Sequence, residues 1–151
     1  MTELVLKDIK TAIKNRIAVK YPDAKFYIDG DIKSYPAFYI RTTNIEREKA
    51  SLRREQMFRD TFYMRVEYRE SEESTSVTNL NSKLDEVGMV LQDVLRYIEV
   101  YGKKFYVEIT NNETVDNVRI FDFYVIFNTT FEKEPEPIME TIENTEKLKE
   151  D

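Results

Sequence analysis

The 151-residue chain has no cysteine, no histidine and no tryptophan, and only three glycines and four prolines. Each absence excludes a chemistry. Without Cys or His there is no thiolate or imidazole to hold zinc or haem, no thiol nucleophile and no Ser-His-Asp triad. Without Cys there is also no disulfide framework, so a reducing compartment is permitted. The glycines stand apart at Gly30, Gly88 and Gly102, so no Gly-rich loop cradles a phosphate. No apolar run reaches the ~18 residues that a membrane span needs. The opening Met-Thr-Glu-Leu-Val-Leu-Lys has neither a basic start nor a small-residue cleavage site, and it reads as no secretory signal.

What is present points to one folded domain. Ten Tyr and nine Phe are too many aromatics for a disordered chain, and the length supports an independent core. The net charge is -6, which argues against a general nucleic-acid binder. That charge is uneven. Glu132, Glu134, Glu136, Glu140, Glu143, Glu146, Glu150 and Asp151 face only Lys133, Lys147 and Lys149. Residues 1–131 are therefore nearly neutral and can pack against copies of themselves without much long-range repulsion.

Hydrophobic periodicity divides the chain. Leu6, Ile9, Ile13 and Ile17 recur at helical spacing and predict a core-facing helix over 3–20, with Lys7, Lys10, Lys14 and Lys20 on other faces and Pro22 as the stop. Short aromatic strands are expected at 25–28 and 37–42, separated by an Asp29-Gly30-Asp31 turn. Residues 44–55 break the alternation with mixed charge. From Gln56 to Tyr68 alternation returns, with Phe58, Phe62, Met64, Val66 and Tyr68 on one face and Arg59, Tyr63, Arg65 and Glu67 on the other. Thirteen extended residues span roughly 43 Å, so the start of this strand is expected to project as a hairpin arm with 37–43. Residues 70–77 read as a loop. Leu80, Leu84, Val87, Leu91, Val94, Leu95 and Ile98 predict a second helix over 78–98, ended near Gly102. Strands follow at 105–109 and 118–131, with turns expected at Asn111–Glu113 and Asp116–Asn117. The last strand is apolar on both faces apart from Asp122, the pattern of a central, doubly covered strand. Asp122 is expected to pair with an arginine or to lie exposed near a sheet edge.

The expected fold class is therefore α+β. A mixed, mainly antiparallel sheet of about five strands carries two principal helices in the order α-β-β-β-α-β-β, with a projecting β-hairpin arm. One domain covers 1–131, and 132–151 form an acidic C-terminal tail, extended or flexible.

Few constellations carry chemistry. Asp29 and Asp31 flank Gly30, but the twelfth position of a calcium loop starting at Asp29 is Ile40, so a plain turn outweighs a metal loop. No catalytic, cofactor-binding or metal residue is assigned, and an enzyme is not expected. Arg41, Arg47, Lys49, Arg53, Arg54 and Arg59 cluster with Glu46, Glu48, Glu55 and Asp60 and leave a small positive excess. Residues 44–55 hold no aromatic platform for stacking bases, so the cluster reads as a subunit-contact arm or a solvated loop ahead of a nucleic-acid groove. Ile138, Met139 and Ile142 in the tail are candidate contacts to an adjacent protein.

The order of elements, with Tyr35-Pro36-Ala37-Phe38-Tyr39-Ile40 after an amphipathic helix, Phe62–Tyr68, Phe123–Phe127 and an acidic tail bearing Met139-Glu140, resembles the small tail terminator proteins of tailed phages and prophages of Gram-positive bacteria. The likeness covers nearly the whole chain, and it brings no catalytic residue. It implies a virion protein assembled in the host cytoplasm that closes into a ring, usually of six copies. Such a ring caps the tail tube, ends its polymerisation and offers the head or neck a docking surface. The implied partners are further copies of the chain, the tube protein, neck or head-completion proteins and any tail sheath, with DNA passing through the bore unbound. No cofactor or membrane is implied. Another head–tail joining ring, or a non-viral adaptor domain, is the alternative.

Overall fold

The computed structural model describes residues 2–30, 34–51, 55–70 and 77–132. The elements run α1 (Thr2–Ala18), β1 (Lys25–Ile28), β2 (Ala37–Ser51), β3 (Glu55–Arg69), α2 (Val77–Val94), β4 (Tyr97–Val100), β5 (Lys103–Tyr106), β6 (Glu108–Val115) and β7 (Val118–Glu132). One sheet has the order β1-β2-β3-β7-β6, and β4 and β5 form a separate two-stranded sheet. The fold is the expected α+β arrangement, and the strands of the main sheet follow the expected order around two helices.

The described residues divide into two compact units, one within 1–46 and 61–127 and the other within 47–60 and 128–132. In the first, the helical stripe Ile9, Ile13 and Ile17 of α1 and the stripe Leu80, Leu84, Val87 and Leu91 of α2 are buried in one cluster with Phe38, Ile40, Phe62, Met64, Val66, Phe121, Phe123 and Val125 of the sheet. Period-2 and period-3.6 patterns thus meet on one layer boundary. Aromatic rings stitch it together. Phe26 stacks on Phe38 at 5.4 Å, Phe38 lies 4.7 Å from Tyr68, and Phe105 stacks on Phe127 at 3.9 Å. Such pairs add about 0.5–1.5 kcal/mol each beyond their buried area.

Several elements differ from the sequence reading. Strand β2 continues through the charged stretch to Ser51, because residues exposed to water on a paired strand need no apolar alternation. The second helix stops at Val94 instead of running to Ile98. Ile98 and Val100 are buried from strand β4, so their apolar spacing served a helix and a strand equally well. The expected strand over 105–109 is two strands, broken at Val107, whose N–H donates to the Arg96 carbonyl at 3.0 Å. Asn111–Glu113 lie within β6 and not in a turn. Lys10, placed with the polar face, is 6% exposed and pairs with Asp29.

Two tight hairpin loops are explicit in the backbone. Val115 pairs with Val118, and between them Asp116 and Asn117 have φ of 52° and 63°. Val100 pairs with Lys103 around Tyr101 and Gly102, with φ of 54° and 76°. Two successive positive φ values mark the turn that matches strand twist. Strand β1 runs parallel to β2, with Phe26 opposite Phe38. Strand β7 lies between β3 and β6, in the interior position its apolar pattern requires.

Candidate functional site

The opposite face of the sheet is charged and aromatic. Alternation that buries Phe121, Phe123 and Val125 of β7 turns Asp122 and Tyr124 the other way, and the same rule places Tyr63, Arg65 and Glu67 of β3 beside them. Arg65 makes a bidentate pair with Asp122, Nε to Oδ1 at 2.7 Å and an Nη to Oδ2 at 3.0 Å. The Tyr63 and Tyr124 rings meet at 5.5 Å, and the Tyr63 hydroxyl donates to Glu46 at 3.0 Å. Glu67, expected on the wet face, is 7% exposed. It is neutralised by Arg69 at 3.0 Å and Arg41 at 3.6 Å. The result is a lattice of paired charges across β2, β3 and β7, with the Arg65–Asp122 pair held by fork geometry.

In the second unit, Arg47 forks onto Asp60 at 2.6 and 2.7 Å and lies 4.5 Å over the Phe58 ring. The Asp60 side chain is 7% exposed and that of Arg47 42%. Asp60 therefore sits on the apolar side because an arginine follows it there. Arg59 reaches Glu48 at 3.6 Å, but both are exposed, at 56% and 73%, and such a pair is worth little. Lys49 is exposed. Of the six basic candidates, Arg41 belongs to the sheet lattice, Arg47 and Arg59 are paired within the hairpin, Lys49 is free of carboxylates among the described residues, and Arg53 and Arg54 lie outside the described residues. Ile138, Met139 and Ile142 also lie outside them.

The charges are fixed. Hydrogen bonding to Asp122 and Asp60 raises Arg65 and Arg47 above their ordinary range, and the bond to Glu46 raises Tyr63. Burial, then Glu70, raises Tyr68, and burial, then Glu86, raises Tyr21. Each shift moves the group away from neutral pH, so none of these residues is poised for proton transfer. Asp29 is spoken for by Lys10, Asp31 lies outside the described residues, and among the described residues no three acidic side chains converge to hold a metal. A cavity of about 380 Å³ is lined by Tyr21, Pro36, Tyr68, Glu70 and Lys83 among others, and in it the Tyr68 hydroxyl donates to Glu70 at 2.6 Å. The Tyr21 hydroxyl beside it is buried and has no hydrogen-bond partner among the described residues. No helix among the described residues is long and apolar enough to cross a membrane.

Among the described residues, what the fold brings together on this face is paired charges and stacked rings. A family model described as phage tail terminator protein matches residues 8–137. The chain belongs to the phage tail terminator family. It is a structural protein of the phage tail, and the family works in contact with other tail and neck proteins. No curated protein matches the chain. One solved structure aligns over 89% of this chain and 99% of its own, at 13% identity and a TM-score of 0.43, a likeness too distant to say more.

For Asp122 the sequence offered an arginine or an exposed edge position; the fold selects the arginine, and spacing could not name it because Arg65 is 57 positions away. It missed the β4–β5 hairpin, although Tyr101-Gly102 followed by Lys103–Tyr106 is a turn-and-strand signal. That hairpin carries an exposed aromatic and cationic patch.

Proposed function

We propose that copies of this chain close into a ring, six being usual for such proteins, that caps the growing end of the tail tube, halts its polymerisation and presents the docking surface for the neck and head. The family match over residues 8–137 carries this reading. The structure supports it with a face of paired charges and with a sheet whose edge strands are β1 and β6. A ring subunit needs two different surfaces, because each copy meets its neighbours head to tail. The hairpin around Arg47, Lys49 and Arg59 is the proposed contact to the next subunit, and the sheet lattice is the proposed face toward tube or neck. The tube protein, neck proteins and any sheath are the partners, and DNA crosses the bore without being held.

Electron microscopy of the purified protein should show closed annuli. Added to polymerising tube protein, it should shorten and narrow the distribution of tube lengths and label one tube end. A protein that stays solitary at high concentration while tubes grow to unregulated length with or without it would overturn the proposal. Labelling of the neck rather than the tube end would instead favour a head-completion ring.

A further inference from the structure

The β4–β5 sheet presents Tyr97, Glu99, Lys104 and Tyr106 on one face, since Tyr97 pairs with Tyr106 and Glu99 with Lys104. Its other face puts Ile98 and Val100 into the core. Two cations converge on one ring of the presented face. The Arg16 guanidinium lies 4.2 Å and the Lys104 ammonium 4.7 Å from the Tyr97 centroid. Arg16 is held in place by donating to the Val94 carbonyl at 2.9 Å. Tyr106 stands edge-on to Tyr97 at 6.5 Å and is 74% exposed. Among the described residues, neither Arg16 nor Lys104 has an ion-pair partner. A tyrosine pair flanked by two cations, one of them with Glu99 across the strand but in no ion pair with it, suits a ligand that alternates a flat apolar ring with a carboxylate.

The chain itself contains such a ligand. Residues 134–137 read Glu-Pro-Glu-Pro. The prolines restrict the backbone toward an extended helix and lower the entropy lost on docking, and proline-rich segments dock on aromatic grooves. Residues 132–151 also carry the chain's acidic excess. We propose that the Tyr97–Tyr106 face of one copy receives the Glu134–Pro137 segment of a neighbouring copy, the prolines lying on the tyrosines and Glu136 pairing with Arg16 and Lys104. This rests on the reading of the protein as a ring, and it gives the acidic tail a binding site on the next subunit.

The absence of cysteine makes the test clean. Full-length Lys104→Cys and Glu136→Cys chains are mixed under mild oxidation, with Asp151→Cys as the distant control, and annuli are scored in parallel. The expected result is a mixed disulfide dimer that forms several-fold faster for Lys104→Cys with Glu136→Cys than with Asp151→Cys. In cysteine-free chains, Lys104→Glu should weaken self-association about 3-fold, and adding Glu136→Lys should restore it. Annuli with equal rates for the two mixtures would overturn the inference and leave the ring standing. Absence of annuli in the unsubstituted chain would remove both. A chain carrying both cysteines that closes on itself as a monomer would assign the face to its own tail, against the proposal. Binding of a 20-base DNA duplex that Lys104→Glu abolishes would also overturn it, because the face would then take nucleic acid.

Discussion

Arg65 and Asp122 show how a charge survives on a strand that is otherwise apolar. Their side chains are 29% and 20% exposed, so the pair is partly desolvated and its removal is felt. Asp122→Asn should cost about 1 kcal/mol, seen as a lower urea midpoint with unchanged slope. Arg65→Met with Asp122→Leu should recover most of that loss, because an apolar pair leaves no orphan charge. Two unchanged single-variant midpoints would mean that the fork contributes nothing. The tyrosines make a pH prediction. Burial holds Tyr21 and Tyr68 protonated above the ordinary tyrosine value of about 10. Above that pH the unfolded chain releases protons that the folded chain keeps. Stability should therefore be complete below pH ~10 and decline as the pH rises further. Tyr68→Phe should flatten the decline, and a melting temperature that rises between pH 10 and 11 would contradict it.

At the level of elements, Gly88 is a packing residue. A Cβ there would lie 2.4 Å from the Arg119 Nε, and Arg119 is tied to the Asn112 Oδ1 at 2.9 Å and to the Asn112 carbonyl at 3.1 Å. The Asn112 amide in turn donates to the Gly88 carbonyl at 3.1 Å. Gly88→Ala should destabilise by about 1 kcal/mol despite its better helix propensity. In an Arg119→Ala background the same change should become stabilising by up to ~1 kcal/mol. Additive behaviour in that cycle would refute the account. In the β6–β7 loop, Asn117→Gly should stabilise by about 0.5 kcal/mol, since Asn117 sits at φ 63°. Thermal melts of the two chains would check it.

These elements also show what sequence could and could not reveal. Helices α1 and α2 and strands β3 and β7 were legible because each buries one periodic face. The end of α2 was not, because Val94, Leu95 and Ile98 continue the helical spacing across a change to strand. The extent of β2 was hidden for the opposite reason, since charges that pair across strands leave no apolar signal. Arg47 and Asp60 were both noted in sequence, but only the fold brings them to 2.6 Å. The patch formed by Arg16, Tyr97, Lys104 and Tyr106 joins positions from α1 and a hairpin, and one-dimensional spacing cannot see that.

For the molecule as a whole, the order β1-β2-β3-β7-β6 predicts a gradient of protection. Amide exchange should be slowest in β3 and β7 and faster in β1 and β6, because edge strands lose their partners in smaller openings. If assembly orders the hairpin against a neighbour, residues 47–51 and 55–60 should gain protection in the ring relative to the monomer. Equal protection in both states would remove the hairpin from the interface.

The location of β7 has one more consequence. It is the last strand of the described residues, yet it fills the gap between β3 and β6. During synthesis β3 therefore emerges before the strand that pairs with one of its edges in the finished sheet. The nascent polypeptide stays open until β7 has left the ribosome, and its long-range pairing slows the closing step.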